Sequence, residues 1–251
     1  MSDSSITRRA SATGLRGLAM PFKRHPAIWG VIGSAMLLLS NAAVLPLANA
    51  DDWTHERGRE NDEPRIQVGF EIAPVPLDLR GTNPALVGLG SYLVNAVVGC
   101  NDCHSADPSV EYSAGGNPYF KGNPAKVVNQ SVYLGGGRNF GSLVPGTPEI
   151  ISRNLTPDKT GLPVGGRSFQ EFLQTMRTGE DLDHLHPNCS ATIKTNCFPA
   201  GQPFNGDLLQ VMPWPIFQSL TEHDLRAIYE YLRTVPCISG PPSGVLHNDC
   251  T

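Results

Sequence analysis

The sequence predicts an all-α domain whose helices enclose one covalently held group, with long glycine- and proline-rich loops between them. Three observations carry this expectation. Cys100-Asn101-Asp102-Cys103-His104 is the attachment signature of a c-type haem. Two thiols at this spacing each bond one porphyrin vinyl group, and the following histidine offers its imidazole to the iron. Ser168 with Glu171, and Thr221 with Asp224, stand at helix starts, each followed by apolar residues at helical spacing. Residues 105–166 hold much Gly, Pro and Asn and little periodicity, so loops ordered by packing on a large apolar plate are expected there.

Taken in order, residues 1–50 have the makeup of an export segment. Arg8, Arg9, Arg16, Lys23 and Arg24 precede an apolar run from Ala27, and Ala48-Asn49-Ala50 offers a small-x-small cleavage pattern. The alternative is an uncleaved anchor giving membrane association, since residues 27–48 are long enough to cross a bilayer. Residues 51–80 are an extended lead-in: charged to about residue 66, then a strap over 66–81 in which Pro74 and Pro76 forbid a helix. A domain over residues 81–236 follows. Its first helix begins near Pro84 and carries Leu86, Leu89, Leu93, Val94 and Val97 on one face. Gly88 and Gly90 in that helix are expected to admit another helix at close approach. The second helix begins at Ser168, places Phe169, Phe172, Leu173 and Met176 on one face, and ends at Gly179. The last begins at Thr221, with Leu220 and Leu225 as a staple and Leu225, Ile228, Tyr229 and Leu232 as its face, and Pro236 stops it. It is expected to cross the first helix near Gly90. Residues 237–251 form a disulfide-tethered tail.

Charge narrows the partners. The chain has 19 basic and 23 acidic residues; without residues 1–50 these become 14 and 22, a net charge of −8. Nucleic acid is excluded as a partner on that balance. An acidic carrier would be steered to a basic docking patch. The four cysteines outside the signature, Cys189, Cys197, Cys237 and Cys250, suit two disulfides in an oxidising compartment. Four cysteines allow three pairings, and proximity favours Cys189 with Cys197 and Cys237 with Cys250.

A five-residue signature admits other readings. A thioredoxin-like redox pair shares the spacing but opens a helix after a strand in a βαβ pattern, which is not visible here. Half of a zinc site would want a second close pair of ligands. A chance match in a disulfide-rich exported chain is the third. For the second axial ligand two methionines remain beyond the leader. Met176 lies on an apolar helix face, where packing is the usual role. Met212 lies in Val211-Met212-Pro213-Trp214-Pro215, where the proline stiffens the loop, so Met212 is favoured. His184 and His186 are rivals; in Asp181-Leu182-Asp183-His184-Leu185-His186 they could also form a metal site with Cys189, or simply a solvated loop. Arg138 and Trp214 are candidate partners of the haem propionates, Trp214 through its indole N–H.

Six segments together resemble the mono-haem class I c-type cytochromes of bacteria, closest to the cytochrome subunits of periplasmic alcohol and aldehyde dehydrogenases. They are Gly90-Ser91-Tyr92-Leu93-Val94, Leu134-Gly135-Gly136-Gly137-Arg138, Asn154-Leu155-Thr156-Pro157-Asp158, Arg177-Thr178-Gly179, Met212-Pro213-Trp214-Pro215, and residues 220–233. The resemblance spans about residues 81–236. It implies a cytochrome c-like fold with one haem c, bound through Cys100 and Cys103 and ligated by His104 and Met212. It implies a periplasmic electron carrier rather than an enzyme, with redox donor and acceptor proteins, a periplasmic dehydrogenase among them, as partners. The chain departs in having one signature where such subunits often have several, and in residues 180–210 and 237–251, which look like additions. The alternative function is a haem enzyme or a gas or redox sensor of small-peroxidase type, with an open or labile sixth iron site.

Overall fold

Pro64 falls in the first turn of a helix, α1 (residues 62–72), where the missing N–H of proline costs nothing. The computed structural model describes residues 62–123, 126–143, 145, 149–183, 204–240 and 247–251, all within one unit, Ala48–Thr251. Helix α1 corrects the expected extended lead-in: only from residue 73 does the chain run as a strap. Pro74 and Pro76 stop the helix but do not forbid it upstream. Two contacts hold it against residues 88–91. A Cβ on Gly69 would lie 1.8 Å from the Gly88 carbonyl oxygen, and Ser91 Oγ donates to the Gly69 carbonyl at 2.6 Å. Asp62, at its start, pairs with Arg65 and with His223 Nε2 at 3.1 Å. The strap beyond it buries Val75, and the Asp78 N–H donates to the Thr234 carbonyl.

Helix α2 (Pro84–Tyr92) is capped by Asn83, whose Oδ1 accepts from the Ala85 N–H. It continues as a π-helical segment, Leu93–Val98, closed by the Gly99 N–H on the Val94 carbonyl. The wider turn moves the apolar stripe by about one residue. Val97, expected on the buried face, is 58% exposed, and Val98 turns inward instead. Helix α3 (Cys100–His104) follows directly after the left-handed Gly99.

Helix α4 (Phe169–Thr178) carries the full capping box: the Glu171 N–H donates to Ser168 Oγ, and Glu171 Oε2 accepts from the Ser168 N–H at 2.8 Å. A short turn, α5 (Trp214–Phe217), leads to α6 (Glu222–Leu232), where Thr221 Oγ1 accepts from the Asp224 N–H. The expected face of α6 is the buried one, with Leu225, Ile228, Tyr229 and Leu232 at 3% exposure or less. Each such side chain contributes roughly 1.5–3 kcal/mol on burial. As expected, α6 crosses α2 at Gly90, so closely that a Cβ there would lie 1.9 Å from the Ala227 carbonyl oxygen. Helix α4 packs on the other side of α6, with Phe169 and Phe172 against the Tyr229 ring.

Among the described residues no strand forms; three isolated antiparallel bridges, such as Asn139 with Ile151, pin the loops. The described part is therefore helical, in line with an all-α class. Cys237 is bonded to Cys250, with 5.7 Å between their Cα atoms. Asn248 stitches the tail down further, donating to the carbonyls of Thr156 and Pro157. No described helix is long and apolar enough to cross a membrane. Residues 1–50, the rival ligands His184 and His186, and the Cys189–Cys197 pairing lie outside the described residues.

Candidate functional site

The cysteine signature is fixed from two sides. Asn101 is buried, and its Oδ1 accepts from the Leu134 N–H at 2.9 Å. The His104 carbonyl accepts from the Gly136 N–H at 2.7 Å. Gly136 then lies so near the Arg153 and Asn154 backbone that a Cβ would come within 2.4 Å of it. Its φ of +72° is equally closed to a side chain. The glycine run after Leu134 is thus a thin layer between α3 and residues 152–155, closed by Gly137 N–H to Ser152 and Leu155 N–H to Leu134.

Beyond this layer opens a cleft enclosing about 1290 Å³, its mouth included. Cys100, Cys103, His104 and Met212 all line it. Its walls are mostly apolar: Val98 and Leu155 near the signature, Phe172 and Met176 from α4, and Ile228 and Leu232 from α6. Met176 combines both of its possible surroundings, buried at 4% exposure in the core and touching the cleft.

The His104 ring is held in one tautomer. Its Nδ1 lies 2.8 Å from the Arg153 carbonyl oxygen, which can only accept, so Nδ1 carries the proton and Nε2 keeps its lone pair. Burial holds the ring's pKa below its usual value and so favours the neutral form. Burial also raises the Cys100 thiol to about 12 and lifts that of Cys103. Reactive thiol pairs of the thioredoxin kind need the opposite shift, so the environment speaks against that reading. Neither cysteine is in a disulfide.

Met212 sits between two tight turns. Its N–H donates to the Gln210 carbonyl at 2.8 Å across Val211, whose φ is +69°, and its carbonyl accepts from the Trp214 N–H at 2.8 Å across Pro213. Bonds across a single residue are γ-turns, and a β-branched residue at positive φ is strained by roughly 1–3 kcal/mol. Proline stiffening is therefore only half of what fixes this loop.

Neither of the two candidate propionate partners is among the residues lining the cleft. The Trp214 indole N–H donates to the Leu209 carbonyl at 3.2 Å and its rings cover Gly179, so it braces the methionine loop instead of facing the cleft. The Arg138 guanidinium lies over the ring of cleft-lining Phe140, 5.9 Å from its centre, and near enough to Cys103 for its charge to act on that thiol. The loops also divide: Phe140, residues 150–153, Leu155 and Val164 line the cleft, whereas no described residue between 105 and 139 does. The charged residues that do line it are Arg153, Arg167 and Asp183; of these only Asp183 belongs to a stretch that the sequence singles out, residues 181–186. Among the described residues no cluster of three or more His, Cys, Asp or Glu side chains could hold a metal ion by itself. The chain matches no protein-family model, no curated protein and no solved structure.

Proposed function

We propose that this chain is a periplasmic c-type cytochrome that carries single electrons on one covalently bound haem. The observation that carries the proposal is the convergence of Cys100, Cys103, His104 and Met212 on one mostly apolar cleft, although Met212 is more than a hundred residues distant in sequence. The residues fit the group. Two uncharged thiols lie on one side, a neutral imidazole has Nε2 free of the proton, and a thioether sits on a stiff loop. Cys100 and Cys103 would hold the porphyrin, and His104 and Met212 would be the axial ligands. When bound, the haem supplies an iron that changes oxidation state by one electron; sulfur as second ligand raises its potential. The protein's own part is to orient His104 through Arg153, to exclude water with the apolar walls, and to fix Met212 between its two turns.

This reading keeps the resemblance to the mono-haem class I c-type cytochromes, with a cytochrome c-like fold as its finer form. It keeps export to the periplasm, a redox donor and acceptor as partners, a dehydrogenase among them, and no substrate chemistry. Replacing Met212 by alanine is the test. The reduction potential should fall, and carbon monoxide should bind the reduced variant rapidly but the parent protein slowly. Met176→Leu, the control at the other cleft methionine, should change neither. Fast carbon monoxide binding by the unmutated protein would instead favour a haem enzyme or sensor with an open site.

A further inference from the structure

The cleft has one charged wall, and it is built around a carboxylate. Arg153 Nη2 donates to both oxygens of Asp181 at 2.7 Å, and the Asp181 side chain is only 1% exposed. Arg153 Nη1 pairs with Asp183 Oδ2 at 3.0 Å, and Arg167 Nη2 pairs with the other oxygen, Oδ1. Arg167 Nη1 also reaches Glu171 Oε1 at 3.4 Å. The Asp183 carboxylate thus lies between two guanidiniums, one oxygen to each. A further donor stands idle: Arg153 Nε is buried and has no acceptor among the described residues. A buried unpartnered donor has capacity for a further acceptor, and two guanidinium forks on a cleft wall suit a planar carboxylate held through both of its oxygens.

We propose that Arg153 and Arg167 seat a propionate carboxylate of the bound porphyrin, and that Asp183 is a placeholder for it; this rests on the haem reading above. The two aspartates differ in the way this requires. Asp181 is sealed in and keeps Arg153 oriented. Asp183, with a side chain 35% exposed, is free to turn to water when a ligand carboxylate takes its position. The exchange keeps one carboxylate between the two guanidiniums, while Asp183 carries its own charge out to water. It also links the two ends of the porphyrin site through one residue, since the Arg153 carbonyl orients His104 while its side chain holds the propionate.

The test is isotope-edited infrared spectroscopy of the full chain matured with haem carrying 13C at its propionate carboxyls. The labelled carboxylate bands should shift in R153K and R167K, where charge is kept but the planar fork is lost. They should stay in place in D183N, because the placeholder is already displaced. Identical bands in the parent, R153K and R167K would overturn the proposal, as would bands that move in D183N but not in R167K. Should R153K fail to mature, R167K and D183N decide it by the same criteria. An unmutated chain that acquires no covalent haem rejects the carrier reading itself, and is recognised before any variant is compared.

Discussion

At the scale of single residues, the methionine loop shows how much of the cleft depends on side chains that never touch it. Gly179 ends α4, donates its N–H to Thr175, and accepts from the Leu209 N–H at 2.7 Å. The Trp214 indole lies on it, with the nearest ring atom 2.2 Å from where a Cβ would be, and its φ is +74°. Gly179→Ala should therefore lower unfolding stability by about 1–3 kcal/mol, read by denaturant titration; a change near zero would show that the contact yields freely. Met212 lines the cleft, and its place before Pro213-Trp214 is what singles it out in the sequence. That Trp214 braces the loop was not, because its partners Gly179 and Leu209 are brought to it only by the fold.

At the scale of elements, legibility followed how local the signal was. Helices α4 and α6 announce themselves through caps within four residues and apolar faces at regular spacing. Helix α1 does not. Ile66, Val68, Phe70 and Ile72 alternate as in a strand, yet the segment is helical and packs with Gly69 on Gly88, a tertiary contact that no local signal announces. The π-helical segment escapes any reading based on 3.6 residues per turn, which is why Val97 was expected inside. The capping box of α4 also carries a pH signature. The Ser168 N–H, and then its hydroxyl, hold the Glu171 carboxyl below its usual value of 4.5. A group depressed in the folded state stabilises above its unfolded pKa and loses that contribution as pH falls through the folded one. Glu171→Gln should thus be less stable than the parent at neutral pH, with the gap closing below about pH 4.5. A gap independent of pH would remove the carboxylate as the cause. Ser168→Ala, which removes the cap itself, should cost about 1 kcal/mol.

At the scale of the whole molecule, the cleft is framed by segments far apart in sequence, and the C-terminal tail secures one of them. Ile238 donates its N–H to Thr156 Oγ1, and Asn248 reaches the carbonyls of Thr156 and Pro157, next to cleft-lining Leu155. Replacing Cys237 and Cys250 together by serine should cost about 3 kcal/mol, the loop-closure entropy expected for a short ring; unchanged unfolding would mean that the hydrogen bonds suffice alone. The signature end of the cleft could be foreseen because Cys100 to His104 are five consecutive residues. Its charged wall could not, because Arg153, Arg167 and Asp183 meet only after folding. The central claim is that Cys100 and Cys103 are thioether bonds to one haem. Its most direct measurement is the intact mass, under denaturing and reducing conditions, of the chain produced in a host that matures c-type cytochromes. Covalent attachment would raise the mass by one haem and leave neither signature thiol open to alkylation. A haem-free mass with both thiols alkylated would contradict it.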